Sequence, residues 1–159
     1  MEHINYLNEK IVFLKKVLSK VPLPVFVTDL NSMHFTSQKG RMLIDNYGLT
    51  KKKDILKVEY LITGRDGEVV KLKDVVKNCK STGGIRVERE LHNSGLHYYD
   101  LKVNAIEYKD HDLYILTMND ITEIKESEEE RALKKFKAVM FASMTHEIRT
   151  PLNAIINSC

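Results

Sequence analysis

The architecture of this chain is set by the stretch Tyr98-Tyr99-Asp100-Leu101-Lys102-Val103-Asn104-Ala105. Its odd-numbered positions are aromatic or aliphatic, whereas its even-numbered positions are polar after the initial tyrosine. Successive side chains of a β-strand point to opposite faces of the sheet. The alternation therefore predicts a strand with one face in the core and one more polar face, as in an antiparallel sheet.

Neighbouring stretches extend this strand into a sheet. Ile85–Leu91 precedes it across the turn residues 93–95, and residues 113–118 follow it across the polar segment 109–112. Consecutive strands joined by short turns pair as antiparallel neighbours. The three strands therefore form a predicted meander.

Two more strands are predicted near the start of the chain, at residues 24–30 and Met33–Thr36, because good turn residues separate them. Short helical pieces are predicted around residues 41–47 and 53–60, and a longer helix at 69–80. The order strand, strand, helices, strand, strand, strand predicts an α+β fold. It has a five-stranded antiparallel sheet with flanking helices.

The N-terminal residues 4–20 predict an amphipathic helix. Its apolar positions step by 4, 3, 4 and 3 residues: Leu7, Ile11, Leu14, Leu18 and Val21. This is the spacing of a coiled-coil seam. With so few repeats, however, the pattern is equally compatible with an amphipathic helix that lies on its own domain. Pro22 and Pro24 end the helix, because proline lacks the N–H donor and crowds the preceding turn.

Composition limits the classes of partner and compartment. The net charge is only +3, and the basic residues are spread along the 159-residue chain, so nucleic acid is not an expected partner. No apolar run approaches the roughly 18 residues of a membrane span, and the first residues lack a signal-peptide pattern. The two cysteines, Cys79 and Cys159, have no metal-binding or disulfide-framework spacing. A cytoplasmic protein without a metal site is therefore predicted.

The C-terminal part predicts one long helix that starts near Asp120. Five glutamates fall within residues 123–130 and four basic residues within 131–137, an order that suits the helix macrodipole. The apolar positions step by 3, 4, 4 and 4 residues: Leu133, Phe136, Met140, Met144 and Ile148. They form one apolar face, but the spacing departs from a strict heptad.

The end of this helix carries the most specific motif. Residues 141–155 read Phe141-Ala142-Ser143-Met144-Thr145-His146-Glu147-Ile148-Arg149-Thr150-Pro151-Leu152-Asn153-Ala154-Ile155. This string resembles the phosphoacceptor box of sensor histidine kinases almost without a break. Its one departure is Thr145, where serine is commoner before the histidine.

The preceding block, residues 22–122, resembles a PAS domain. The strand order agrees, as do Val27-Thr28-Asp29-Leu30 in the first strand and Asn119-Asp120-Ile121-Thr122 at the exit. Ser37 stands where many PAS domains carry an asparagine, so no ligand-binding role is transferred to it. The predicted domains are an N-terminal helix at 1–21, a PAS sensor at 22–122, and a linker with the truncated first helix of a dimerisation and phosphoacceptor domain at 123–159.

His146 is the predicted phosphoacceptor. Each helical residue advances about 100°, so His146, two residues from Met144 and from Ile148, points about 200° away from the apolar face. An imidazole with an ordinary pKa near 6.5 keeps a large neutral, nucleophilic fraction at physiological pH.

The resemblance assigns roles to three neighbouring residues. It implies that Glu147 takes or steadies a proton of the His146 ring, which is general-base work. It implies that Thr150 orients water when the partner regulator is dephosphorylated. Pro151 lacks the N–H for the carbonyl of Glu147 and crowds it, which predicts a helix kink that the family uses as a hinge.

The resemblance also implies the function. A PAS signal would control the ATP-dependent phosphorylation of His146 and relay to an aspartate of a response regulator. No cofactor is expected in this chain, since ATP and Mg²⁺ would bind a kinase domain beyond Cys159, and no PAS ligand is identified. Expected partners are a second copy through the N- and C-terminal helices, that ATP-binding domain and a receiver domain. The alternative is a non-enzymatic PAS dimerisation module whose last helix docks with or decoys another kinase.

Other polar residues carry weaker signals. His92 and His97 flank the predicted hairpin turn and are interpreted as surface residues rather than metal ligands. Cys79 is interpreted as a helix-packing residue. His34 and His111 belong to no constellation.

Overall fold

The computed structural model describes residues 1–78, 84–91 and 93–158. Its contacts divide the chain into two compact units, Met1–Ile121 and Thr122–Cys159. The helices are α1 (Glu2–Ser19), α2 (Gln38–Asn46), a 3₁₀ helix (Lys52–Lys57), α3 (Leu72–Asn78) and α4 (Thr122–Asn157). The strands are β1 (Val25–Thr28), β2 (Met33–Thr36), β3 (Glu59–Ile62), β4 (Val69–Lys71), β5 (Ile85–Leu91), β6 (Gly95–Tyr108) and β7 (His111–Asp120).

The described strands form one antiparallel sheet in the order β2-β1-β7-β6-β5-β3-β4. The predicted α+β class with an antiparallel sheet is confirmed, but the sheet has seven strands instead of five. The two additional strands are the short pair β3 and β4. They were predicted as parts of helices, because three or four residues cannot display a recognisable two-residue alternation.

The three-stranded meander is confirmed. Leu101 of β6 pairs with Ile85 of β5 on one side and with Met118 of β7 on the other. Between β6 and β7 the chain turns through only Lys109 and Asp110, with φ of 48° and 61°. Positive φ at both residues is the type I′ turn, whose twist matches that of the flanking strands.

One face of β6 lies in the core as predicted, but only along its first half. Tyr99, Leu101 and Val103 are at most 2% exposed, and they pack with residues of α2, α3 and the neighbouring strands. Ala105, which was predicted on the same buried face, is exposed, as are all of residues 104–108. The alternation predicts which side chains share a face, but it does not predict how far the covering helices reach.

Helix α1 presents its heptad positions to solvent. The seam residues Leu7, Ile11, Leu14 and Leu18 are between 46% and 56% exposed. In the structure, α1 therefore does not bury its seam residues on its own domain, which was the alternative prediction. A dimer seam stays a prediction.

Some predictions fall outside the described residues. These concern Cys79, the end of the helix predicted at 69–80, His92 and Cys159. Among the described residues no helix is both long enough and apolar enough to cross a membrane.

Candidate functional site

His146 lies in the last third of α4, a helix of 36 residues with no buried side chain. Both His146 and its neighbour Glu147 are exposed. No hydrogen bond or ion pair between their side chains is present among the described contacts. The backbone thus keeps them adjacent, and the proposed proton exchange between them requires a rotamer change or a bridging water.

An apolar groove runs along a different side of the same helix. It is lined by Met144, Glu147, Ile148, Pro151, Leu152 and Ile155, and His146 is not among these residues. Met144 and Ile148 are 50% and 54% exposed. The structure therefore separates the imidazole from the apolar face, in agreement with the angular argument.

Thr150 and Pro151 both affect the backbone around His146. The hydroxyl of Thr150 donates to the carbonyl oxygen of His146 at 3.3 Å. Pro151 lies inside α4, which continues to Asn157, so the carbonyl of Glu147 lacks its usual helical donor. The kink and the roles of Glu147 and Thr150 in catalysis stay predictions.

The unit Met1–Ile121 contains a second candidate site that sequence reasoning missed. It is an open cleft of about 800 Å³ between the end of α2, the β5–β6 hairpin and the end of β7. Its charged or hydrogen-bonding side chains include Asp45, Arg89, Ser94, His97 and Asp120.

Arg89 is the cation of this cleft. Its guanidinium carbon lies 4.9 Å from the centre of the Tyr47 ring and 5.8 Å from that of Tyr60, within the range of cation–π attraction. Its Nη1 donates to the carbonyl oxygen of Glu59 at 2.9 Å. Its Nε is buried and has no hydrogen-bond partner. The side chain is thus held in place without a carboxylate counterion among the described residues.

His97 is the cross-strand partner of Arg89 and is only 21% exposed, so its interpretation as an ordinary surface residue was incomplete. Its Nδ1 is 3.2 Å from Oδ2 of Asp120, and its Nε2 is 2.9 Å from the Ser94 hydroxyl. Its ring stacks on Tyr99 at 6.3 Å. Since the carboxylate can only accept, Nδ1–H donates to Asp120, and Nε2 is hydrogen-bonded with the Ser94 hydroxyl.

Three tyrosines pack against Arg89 and His97. The Tyr60 hydroxyl donates to the Tyr47 hydroxyl at 3.1 Å, and the Tyr60 and Tyr99 rings meet edge to face at 6.1 Å. Burial raises the pKa of Tyr47, Tyr60 and Tyr99 well above the ordinary value of 10.0, because it disfavours the phenolate. The phenols therefore remain neutral hydrogen-bonding groups at physiological pH.

The end of α2 is fixed by its own backbone. Gly48 has a φ of 67°, and its N–H bonds to the carbonyl of Asp45, while the N–H of Leu49 bonds to that of Ile44. This is the Schellman arrangement, for which glycine is the favoured residue. It holds the last turn of α2 rigidly beside the cleft.

Ser37 has a structural position. Its fully buried hydroxyl donates to the carbonyl of Leu23 and accepts from the N–H groups of Val25 and Gly40. It therefore caps α2 and joins the start of that helix to the start of β1.

No protein-family model matches the sequence, and no curated protein matches it. Among solved structures, the chain is similar to the PAS domain of an HTR-like protein from Haloarcula marismortui. The TM-score is 0.51 at 12% sequence identity, and the match covers 76% of this chain and 98% of that one. The likeness is one of fold. The chain thus has a PAS-like fold, with an N-terminal helix and a long C-terminal helix.

Proposed function

We propose that the chain is the sensory and phosphoacceptor part of a two-component histidine kinase. In this proposal the PAS-fold unit receives a signal and α4 carries His146, which accepts a phosphoryl group. The observation that carries the proposal is the exposed imidazole of His146, which lies off the apolar face of an uninterrupted helix. Such a ring is accessible to a kinase domain while the backbone stays fixed.

The residues around His146 suit phosphoryl transfer. The neutral ring nitrogen attacks the γ-phosphorus of ATP bound elsewhere, so that a P–N bond forms while the P–O bond to ADP breaks. The ring then loses the proton of its other nitrogen, and Glu147 is the nearest carboxylate along the chain. Such transfer depends mainly on positioning and charge neutralisation, which the ATP-binding domain and its metal supply.

The exposed face of α4 supports a homodimer. Leu133, Phe136 and Met140 are 52%, 60% and 47% exposed, and the helix has no buried residue. Helices gain most of their stability in proteins from burying an apolar face. Packing against the same face of a second copy would provide that burial, with His146 left outside the seam.

The decisive experiment is labelling from radioactive ATP, with the ATP-binding domain of a histidine kinase added in trans. The chain should acquire an acid-labile label, and His146→Gln should abolish it. His111→Gln replaces another exposed histidine, in the β6–β7 hairpin, and should label like the wild type.

A label that survives in His146→Gln would overturn the proposal. A wild-type chain that binds the kinase domain through α4 and takes no label would instead favour the non-enzymatic docking module.

A further inference from the structure

The cleft of the PAS-fold unit combines charges of both signs that have no protein counterions. Arg89 makes no ion pair, and neither does the acidic residue Asp45, in the part of the chain that the structure describes. A second acid, Asp120, is held by His97. Positively and negatively charged side chains around one cleft are available to bind a ligand when they have no partner in the protein.

Arg89 is preorganised to receive an anion. The Tyr47 ring supports its plane and the carbonyl of Glu59 fixes one nitrogen, so little side-chain freedom is left to lose on binding. Its buried Nε has no acceptor, although buried donors in proteins nearly always have one. A carboxylate matches the fork of guanidinium donors with two parallel hydrogen bonds.

The end of α2 favours a cationic group on the ligand. Asp45 lies in the last turn of this helix, where the macrodipole adds partial negative charge. Asp120, which His97 holds, lines the same cleft from the end of β7. Since Asp45 and Asp120 share the cleft with Arg89, a phosphate or a dicarboxylate would meet repulsion from them, whereas a ligand with its own cationic group would not.

We propose that this cleft binds a small zwitterion, a free α-amino acid, whose carboxylate pairs with Arg89 and whose ammonium group faces Asp45. The cleft of about 800 Å³ has room for the side chain of such a ligand. Asp120, which lines the cleft, is separated from the first residue of α4 by Ile121 alone. A role of the ligand as input signal rests on the proposed function, whereas the binding itself does not.

The test is NMR titration of the ¹⁵N-labelled 159-residue chain. The probes are the natural L-amino acids one at a time, with acetate, methylammonium and inorganic phosphate as probes that carry one kind of charge. At least one amino acid should shift the Nε–Hε signal of Arg89 and the amides of residues 45–48 saturably. It should bind about tenfold or more tightly than any single-charge probe.

Variants locate the site. Arg89→Gln should weaken binding of that amino acid about tenfold or more, and Asp45→Asn should weaken it too, because each removes one partner of a charge pair. Arg86→Gln is the matched control on the same strand. Arg86 is exposed and does not line the cleft, so binding should be unchanged.

Two results would overturn the proposal even if Arg89→Gln fails to fold. One is that no amino acid gives saturable shifts in the wild-type chain. The other is that acetate or phosphate binds as tightly as every amino acid. Neither result bears on His146 labelling, so this proposal and the proposed function fail separately.

Discussion

The hydroxyl of Thr150 and the main-chain carbonyl of His146 are joined by a hydrogen bond of 3.3 Å, one helical turn apart. The bond holds the Thr150 side chain on the helix surface just beyond the imidazole. A hydroxyl rotates easily and keeps two acceptor lone pairs. In the proposed function, Thr150 would bind a water molecule near the phosphorylated partner without any change in the backbone.

Thr150→Ala should separate the two activities proposed for α4. We expect labelling of His146 to stay near the wild-type level, because the imidazole is untouched. Dephosphorylation of the response regulator should slow by about tenfold or more, as expected when a group that positions water is lost. The measurement compares both rates in the intact two-component kinase that the proposed function implies.

Thr145→Ala is the control for this experiment. The Thr145 hydroxyl makes the same kind of bond, to the carbonyl of Phe141 at 2.8 Å, so any effect of losing a backbone bond is reproduced. Equal losses of dephosphorylation in both variants would remove the case for a special role of Thr150.

Leu14→Glu in α1 should weaken the proposed homodimer. Leu14 is 56% exposed in the single chain, so the fold of the monomer should not change. Burial of a leucine in a seam contributes about 1.5–3 kcal/mol, and a charge there costs more, so the dimer dissociation constant should rise at least about tenfold. Sedimentation equilibrium over a concentration series measures this.

Lys16→Gln changes the net charge by the same amount outside the predicted seam and should leave the association constant nearly unchanged. A wild-type chain that stays monomeric at all concentrations would contradict the α1 seam. Identical weakening by both variants would indicate a general charge effect.

Local patterns allowed much of the fold to be predicted. The alternation around Leu101 and the short turns identified the meander, because both signals lie within a few neighbouring residues. The β3–β4 hairpin was not predicted, because its strands are too short to show the two-residue alternation of a β-strand. Its position in the sheet also depends on pairing of Leu61 with Glu88, far along the chain.

The two candidate sites differ in the same way. His146 was found because its neighbours form one continuous string on one helix. The cleft was missed because its contacts join residues that are distant in sequence. His97 meets Asp120 only through the β6–β7 register, which pairs Tyr99 with Asp120. Arg89 reaches the carbonyl of Glu59 because β5 lies beside β3.

Ser37→Ala should destabilise the PAS-fold unit. It removes a helix cap and leaves the N–H groups of Val25 and Gly40 without the hydroxyl that accepts from them. Losses of this kind cost about 1–3 kcal/mol. Urea unfolding measures the change in the free energy of unfolding.

Ser19→Ala is the matched control, since the Ser19 hydroxyl bonds only to a carbonyl on an exposed helix. It should change stability by no more than about 0.5 kcal/mol. A Ser37→Ala variant as stable as this control would show that the buried bonds are replaced by others.

The tyrosine cluster should make the chain sensitive to alkali. Folding raises the pKa of Tyr47, Tyr60 and Tyr99 through burial, so the folded state retains protons that the unfolded state loses above its pKa near 10.0. The stabilising contribution is thus complete below about pH 10 and is lost as the pH rises towards the folded-state values. Urea unfolding between about pH 8 and pH 11 should show the free energy of unfolding falling above pH 10.

Tyr60→Phe should make the alkaline fall in the free energy of unfolding less steep, because one titrating group is gone. At neutral pH it should cost about 1 kcal/mol for the lost bond to Tyr47. Tyr108→Phe replaces a tyrosine that is 56% exposed and should reproduce the wild-type profile. Equal slopes in all three proteins would place the alkaline transition in other groups.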